Sequence, residues 1–173
     1  GLPEPYAKRT VEGDLGVRHN IDVLVEICHT KNIMPDEQVL ANFQQNPGYL
    51  PKTDRESMVD MELAVAAVEA SFERHTGKIE TMYGPHGEMV LQTGKDLSTV
   101  RNVVGTGGPV IHSREPLRVL SGVLARSGRS DVLKPDSATF FLDRNYILYA
   151  IGLLALTEPK KALRIMKRTL QGL

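Results

Sequence analysis

Val103-Val104-Gly105-Thr106-Gly107-Gly108-Pro109 is the stretch on which the fold of this chain turns. Apolar residues at Val100, Val103 and Val104 suit a buried strand, and three glycines within positions 105–108 clear side chains from the backbone where that strand ends. Residues 113–125 follow with helical spacing. Strand, glycine turn and helix in that order make a common nucleotide-binding arrangement, because bare peptide planes and free amides can meet an anionic ligand. The run matches neither standard phosphate loop: it lacks the lysine of GxxxxGK[ST], and Val110 stands where GxGxxG requires its third glycine. Spacing alone leaves a simple tight turn and a nucleotide site both open.

Outward from this run, composition sets the limits. The chain has 173 residues, 41% of them hydrophobic, which is enough for one domain with a real core and short for two. A single cysteine excludes an internal disulfide framework and suits a reducing, cytoplasmic compartment. Lys plus Arg equals Asp plus Glu at 21 each, so no global field draws the protein to nucleic acid or to a membrane surface. No apolar run approaches the roughly 20 residues needed to span a bilayer, and the longest, residues 146–156, is interrupted by Gly152. The first residues, Gly-Leu-Pro-Glu-Pro, carry neither a starting Met nor the pattern of a signal peptide, and a piece of a longer protein is expected.

Helices and strands alternate along the chain. Thr10 and Val11 read as the end of a strand, followed by the turn Glu12-Gly13-Asp14-Leu15-Gly16-Val17-Arg18 and a helix over residues 21–30 that Asn20 can cap. Ile21, Leu24 and Cys28 share one face of it. Residues 34–52, rich in Pro and Gly, predict a short helix and a loop, and form the expected variable insertion. Thr53-x-x-Glu56 has the spacing of a capping box before a helix with the stripe Met58, Met61, Val65, Val68 and Phe72, which Gly77 can end. A hairpin over residues 78–82 and 88–92, turning at residues 83–87, comes next. The helix over residues 113–125 carries Leu117, Leu120 and Leu124, with Gly128 beyond its end, and residues 139–142 form a strand. Asp143 can cap a helix running to about Leu156. A last helix, with Thr157 as cap and Pro159 in its first turn, is expected to bury Leu163, Met166 and Leu170. Its other face, Lys160, Lys161, Arg164, Lys167 and Arg168, suits either a docking partner or solvent. Few strands, each followed by helices, indicate a layered α/β domain.

Candidate chemistry is sparse. The five histidines show no paired metal-ligand spacing, and Cys28 lies on an apolar helix face, where core packing explains it. Thr93-Gly94-Lys95-Asp96 reads as a turn in which Asp96 caps the next segment. Glu12 and Asp14 flank Gly13 in a way that can hold a ribose hydroxyl or Mg²⁺-bound water, and that ordinary turn chemistry explains equally. Arg18 can pair with a phosphate or neutralise Asp14.

Four spaced motifs, taken together, resemble one family. Glu4-Pro-Tyr-Ala-Lys-Arg-Thr-Val-Glu-Gly-Asp-Leu-Gly-Val-Arg18, Gln92-Thr-Gly-Lys-Asp-Leu97, Val104-Gly-Thr-Gly-Gly-Pro109 and Asp143-Arg-Asn-Tyr-Ile147 with Gly152-Leu-Leu are similar to the glutamate mutase accessory protein family, the MutL or GlmL type. The resemblance covers nearly the whole chain and is weakest over residues 34–52. It implies membership of the ATPase superfamily of actin, Hsp70 and sugar kinases, whose two ribonuclease-H-like lobes hold ATP with Mg²⁺ between them. This chain would be the C-terminal part of the second lobe, a small sheet packed with helices, with both phosphate hairpins upstream.

On that resemblance, Gly105, Thr106, Gly107, Gly108 and Pro109 match the adenosine-binding loop, and Glu12, Gly13, Asp14 and Arg18 stand where relatives reach ribose or phosphates. Asn145, with Asp143, would approach the nucleotide rim. No catalytic base is assigned. The implied function is that of a chaperone-like reactivating factor for an adenosylcobalamin-dependent mutase, glutamate mutase above all, with ATP changing the angle between lobes. The alternatives are a sugar- or acid-kinase-like phosphotransferase and a non-catalytic interaction module docking through the basic last helix.

Overall fold

The computed structural model describes residues 9–85, 87–125 and 131–173. His86 and Gly128 of the sequence reading, and residues 4–8 of its first motif, lie outside the described residues. Three helices come first: α1 (Ile21–Thr30), α2 (Glu37–Gln45) and α3 (Asp54–His75). Next is a hairpin of β1 (Lys78–Gly84) and β2 (Gly87–Thr93), then β3 (Asn102–Gly105), α4 (Gly108–Ile111), α5 (Pro116–Leu120) and a 3-10 turn (Ser121–Val123). The chain ends with β4 (Thr139–Leu142), α6 (Leu148–Ala155), α7 (Pro159–Thr169) and the short β5 (Gln171–Gly172). The architecture is mixed α/β, with one two-stranded and one three-stranded sheet.

Helix α3 organises the core. The Thr53 hydroxyl accepts from the Glu56 amide at 3.2 Å while the Glu56 carboxylate accepts from the Thr53 amide at 2.9 Å, so the predicted capping box is formed. Two apolar stripes then run along opposite sides of the helix. Val59, Leu63, Ala66 and Ala70 pack against Leu15, α1 and α2, whose buried residues include Cys28 and Phe43. Met61 and Ala64, flanked by Val65, Val68 and Phe72, pack against Val110, Val119, Leu120, Val123, Phe140 and Leu142. The sequence reading identified the second stripe only, and it included Met58, which is exposed.

In the three-stranded sheet, β3 pairs parallel to β4 with Val103 opposite Phe140 and Gly105 opposite Leu142, and β4 pairs antiparallel to β5. Parallel neighbours need a crossover, which α4, α5 and the 3-10 turn supply as they pack against α3. Gly122 sits tight against α3: a Cβ there would stand 2.6 Å from Glu69 Cγ.

Several expectations are corrected. Thr10 and Val11 belong to no strand, and Val11 is exposed. Asn20 does not cap α1 with its side chain; its Oδ1 instead accepts from the Gly16 amide at 3.3 Å, bracing the loop before the helix. The single helix expected over residues 113–125 is one short helix, α5, and a 3-10 turn, because Pro116 has no N–H to continue an earlier helix and starts one instead. Glu158, not Thr157, occupies the position before α7, and the Thr157 hydroxyl donates to the Leu154 carbonyl. In α7 only Ala162 is buried, and Leu163 is 49% exposed. Tyr149 and Leu153 of α6, and Leu156 just beyond it, are exposed as well.

Among the described residues no helix is long and apolar enough to cross a membrane.

Candidate functional site

The glycine run divides its duties by position. Gly105 ends β3 inside the core: a Cβ there would lie 2.7 Å from Leu120 Cδ1 and 2.9 Å from Val110 Cγ1, so glycine lets the sheet close on α4 and α5. Gly107 has φ +98 and ψ 148, a region that only glycine adopts without strain, and its missing side chain would meet open space. Gly108 opens α4, also facing open space, at a negative φ that any residue can hold. Thr106 turns the other way, and its hydroxyl donates to Asp143 Oδ2 at 3.3 Å.

Gly108 and Pro109 line a cleft of about 400 Å³ with Arg18, the loop Pro47–Pro51, Ser57, Asp60 and Met61. Ser57, Asp60 and Met61 stand at helical spacing on the first turns of α3. The Arg18 guanidinium lies 4.2 Å from the centre of the Phe43 ring and 2.5 Å from Asp60 Oδ1, so stacking and charge hold it at the cleft wall. His112 and Arg114 stand at the far rim, with Arg114 paired to Asp54. Proline, leucine and methionine side chains give the walls apolar area, with the hydroxyl-bearing Tyr49, Ser57 and Ser113 and backbone groups between them. Such a lining suits a flat, partly polar molecule.

Glu12 and Asp14 sit elsewhere. Arg74 binds Asp14 in a two-point pair at 2.7 and 2.8 Å and reaches Glu12 at 2.8 Å, close to the C-terminal end of α3. The hydrogen bonds from Arg74 hold the Asp14 carboxyl below its ordinary range. The neutralising role allowed to Arg18 thus falls to Arg74. Asp60 and Arg74 are 14 residues apart on one helix, so the acid pair and the cleft are separated by about 21 Å along its axis. Gly13 has open space around its Cβ position.

Asp143 is 2% exposed and fully engaged. Its carboxylate accepts from Thr106 and from the amides of Ile147, at 3.1 Å, and Leu148, at 2.9 Å, tying the glycine turn to the start of α6. This bears out the capping role, displaced to the loop before the helix. A second hollow, of about 540 Å³, opens there between Thr106, Asp143, Leu148 and the Tyr146 and Tyr149 rings, whose centres are 6.4 Å apart. Asn145 is exposed on the same loop.

The structure therefore brings together Arg18, Gly108 and Pro109 and leaves Glu12, Gly13 and Asp14 apart. Sequence reasoning missed Ser57 and Asp60, although their spacing after the capping box was the available signal. It also missed the loop over residues 47–51, whose place as a cleft wall has no local signature. Cys28 is buried, with its thiol 3.9 Å from the Glu62 carbonyl, and burial pushes its pKa up. Among the described residues no three His, Cys, Asp or Glu side chains converge as a metal cage.

A family model described as MutL protein matches residues 1–170. Protein MutL from Clostridium tetanomorphum is 39% identical over 178 aligned residues, covering 98% of this chain and 38% of that protein. The chain thus spans less than half the length of this curated relative. No solved structure gives a significant match.

Proposed function

Because the chain belongs to the MutL protein family, the glutamate mutase accessory family, we propose that it supplies the adenosine-binding wall of an ATP-dependent factor that serves an adenosylcobalamin-dependent mutase. On this reading it forms part of the second lobe of an actin-like ATPase. The observation that supports the site is the meeting of Gly108 and Pro109 with Arg18, Ser57 and Asp60 around one cleft of about 400 Å³, a volume within the usual range for small-molecule sites. The base lies against Pro109, Met61 and Leu50, where no side chain of residue 108 intrudes. Ser57 and the backbone of Gly48 offer hydrogen bonds, and Arg18 presents positive charge to the phosphates.

Bound ATP, carrying its Mg²⁺, supplies the phosphoanhydride whose cleavage drives such a factor. The carboxylates of the cleft wall and of the acid pair are already engaged: Asp60 holds Arg18, and Glu12 and Asp14 are held by Arg74. Glu12 and Asp14, about 21 Å from the cleft along α3, therefore do not reach the ribose of a nucleoside seated there. For nucleotide to act on a mutase, ATP and ADP must favour different arrangements of the protein, and the mutase must distinguish them.

A docking role for the last helices has its own support. Residues 144–173 carry six basic side chains, Arg144, Lys160, Lys161, Arg164, Lys167 and Arg168, against Glu158 alone, beside the exposed Tyr149, Leu153 and Leu156. One experiment separates the two faces. Calorimetric titration of ATP is expected to show Gly108→Val weakening binding at least about tenfold, with the triple change of Lys160, Lys161 and Arg164 to Glu leaving it unchanged. Undiminished affinity in Gly108→Val would contradict the site.

A further inference from the structure

The β1–β2 hairpin is a ribbon with both faces in solvent. Its pairing is unbroken from Lys78 opposite Thr93 to Gly84 opposite Gly87, and its ties to the body lie at its base, where Thr76 bridges Lys95, Lys78 bridges Val132 and the Ile79 amide donates to the Asp131 carbonyl. Beyond that base it exposes Met82, Tyr83 at 81%, Met89, Val90 at 67% and Leu91. A lone two-stranded ribbon is marginal in water, and exposed apolar strands invite pairing.

The outer edge of β2 has little of the usual protection, a single charge at Glu88. Gly87-Glu88-Met89-Val90-Leu91-Gln92-Thr93 contains no proline, lysine or arginine, its ladder to β1 holds no bulge, and among the described residues no strand lies against that edge. We infer that β2 pairs edge to edge with β2 of a second copy of this chain, antiparallel about a two-fold axis through Val90. The strand complements itself in that register. Val90 meets Val90, Met89 meets Leu91, and Glu88, the strand's only charge, meets the neutral Gln92, so no like charges stand opposite one another.

Alternation puts Met82, Met89 and Leu91 on one face of the ribbon. The resulting four-stranded sheet joins that face with its copy into a continuous apolar surface. An isologous contact of this kind closes on itself and stops at the dimer. Its area, one strand edge and its flanking side chains, places it among weak, reversible associations.

Sedimentation velocity on the 173-residue chain, from micromolar to near-millimolar concentration, is the test. The wild type is expected to pass from monomer to dimer. Val90→Lys sets two like charges opposite each other and weakens the dimer at least about tenfold, as does Val90→Asp. An equimolar mixture of the two variants restores association as a heterodimer. The exposure of Val90 keeps either change from disturbing the monomer, which far-UV circular dichroism verifies. A wild type that stays monomeric throughout, as when another partner or segment is the true occupant, overturns the inference. So does a Val90→Lys variant that dimerises normally, or a mixture that fails to associate.

Discussion

Gly105, Gly107 and Gly108 stand within four residues and meet a packed wall, a positive φ and open space in turn. The difference makes them separable by mutation. Gly105→Ala places a methyl group against Leu120 and Val110 and is expected to cost about 1–3 kcal/mol, the usual result of overpacking. Gly107→Ala is expected to cost a similar amount, about 1–3 kcal/mol, through backbone strain alone. Gly108→Ala is expected to leave stability within about 0.5 kcal/mol of the wild type, as for a surface change that breaks no contact. Urea denaturation of the three variants checks the order, and a Gly108 variant as unstable as Gly105→Ala would contradict the open cleft. The contrast also selects the probe for ligand binding. A bulky residue at 107 confounds strain with occlusion, whereas one at 108 fills the cleft alone.

At the scale of elements, α3 shows why some of the fold was legible in the sequence and some was not. Its start was readable because a capping box is local chemistry: Thr53 and Glu56 satisfy each other's amides whatever the rest of the chain does. The hairpin, β4 and α1 were readable for the same reason, being short-range patterns with clear boundaries. That α3 buries two opposite faces was not readable, since its partners lie on either side of it in the sequence. The break at Pro116 was a local signal that leucine periodicity hid. The cleft was half legible. Glycines announced one wall, but the Arg18–Asp60 and Arg74–Asp14 pairings depend on tertiary placement, and nothing local distinguishes Arg18 from Arg74 as the partner of Asp14. Glu56 carries a testable consequence of the cap. Hydrogen bonds from the Lys52 and Thr53 amides lower its pKa from 4.5 to about 2. A folded-state pKa below the unfolded one means that its contribution is complete above the unfolded value and is lost as pH falls through the folded one. The difference in urea midpoint between wild type and Glu56→Gln is therefore expected to be constant above about pH 5 and to shrink as pH approaches about 2. A difference independent of pH would assign the cap to Thr53 alone.

Over the whole molecule, one long helix carries two cores, and the cleft opens where its first turns face both α4 and the loop from α2. Residues 34–52, expected as an insertion, supply part of that wall and bury Phe43 completely, so the cleft and the first core share a support. The Asp143 network joins the other side of the glycine turn to the start of α6. Charge is unevenly distributed: the basic excess after residue 143 is balanced by an acidic excess before it in a chain of zero net charge. The central claim is that Gly108, Pro109 and Arg18 form a single nucleoside site, and amide-resolved NMR during ATP addition tests it most directly. The account predicts concerted, saturable shifts at Arg18, Ser57, Gly108 and His112, with Glu12 and Arg74 unmoved. Shifts confined to Glu12, Asp14 and Arg74, or none at Gly108, would contradict it.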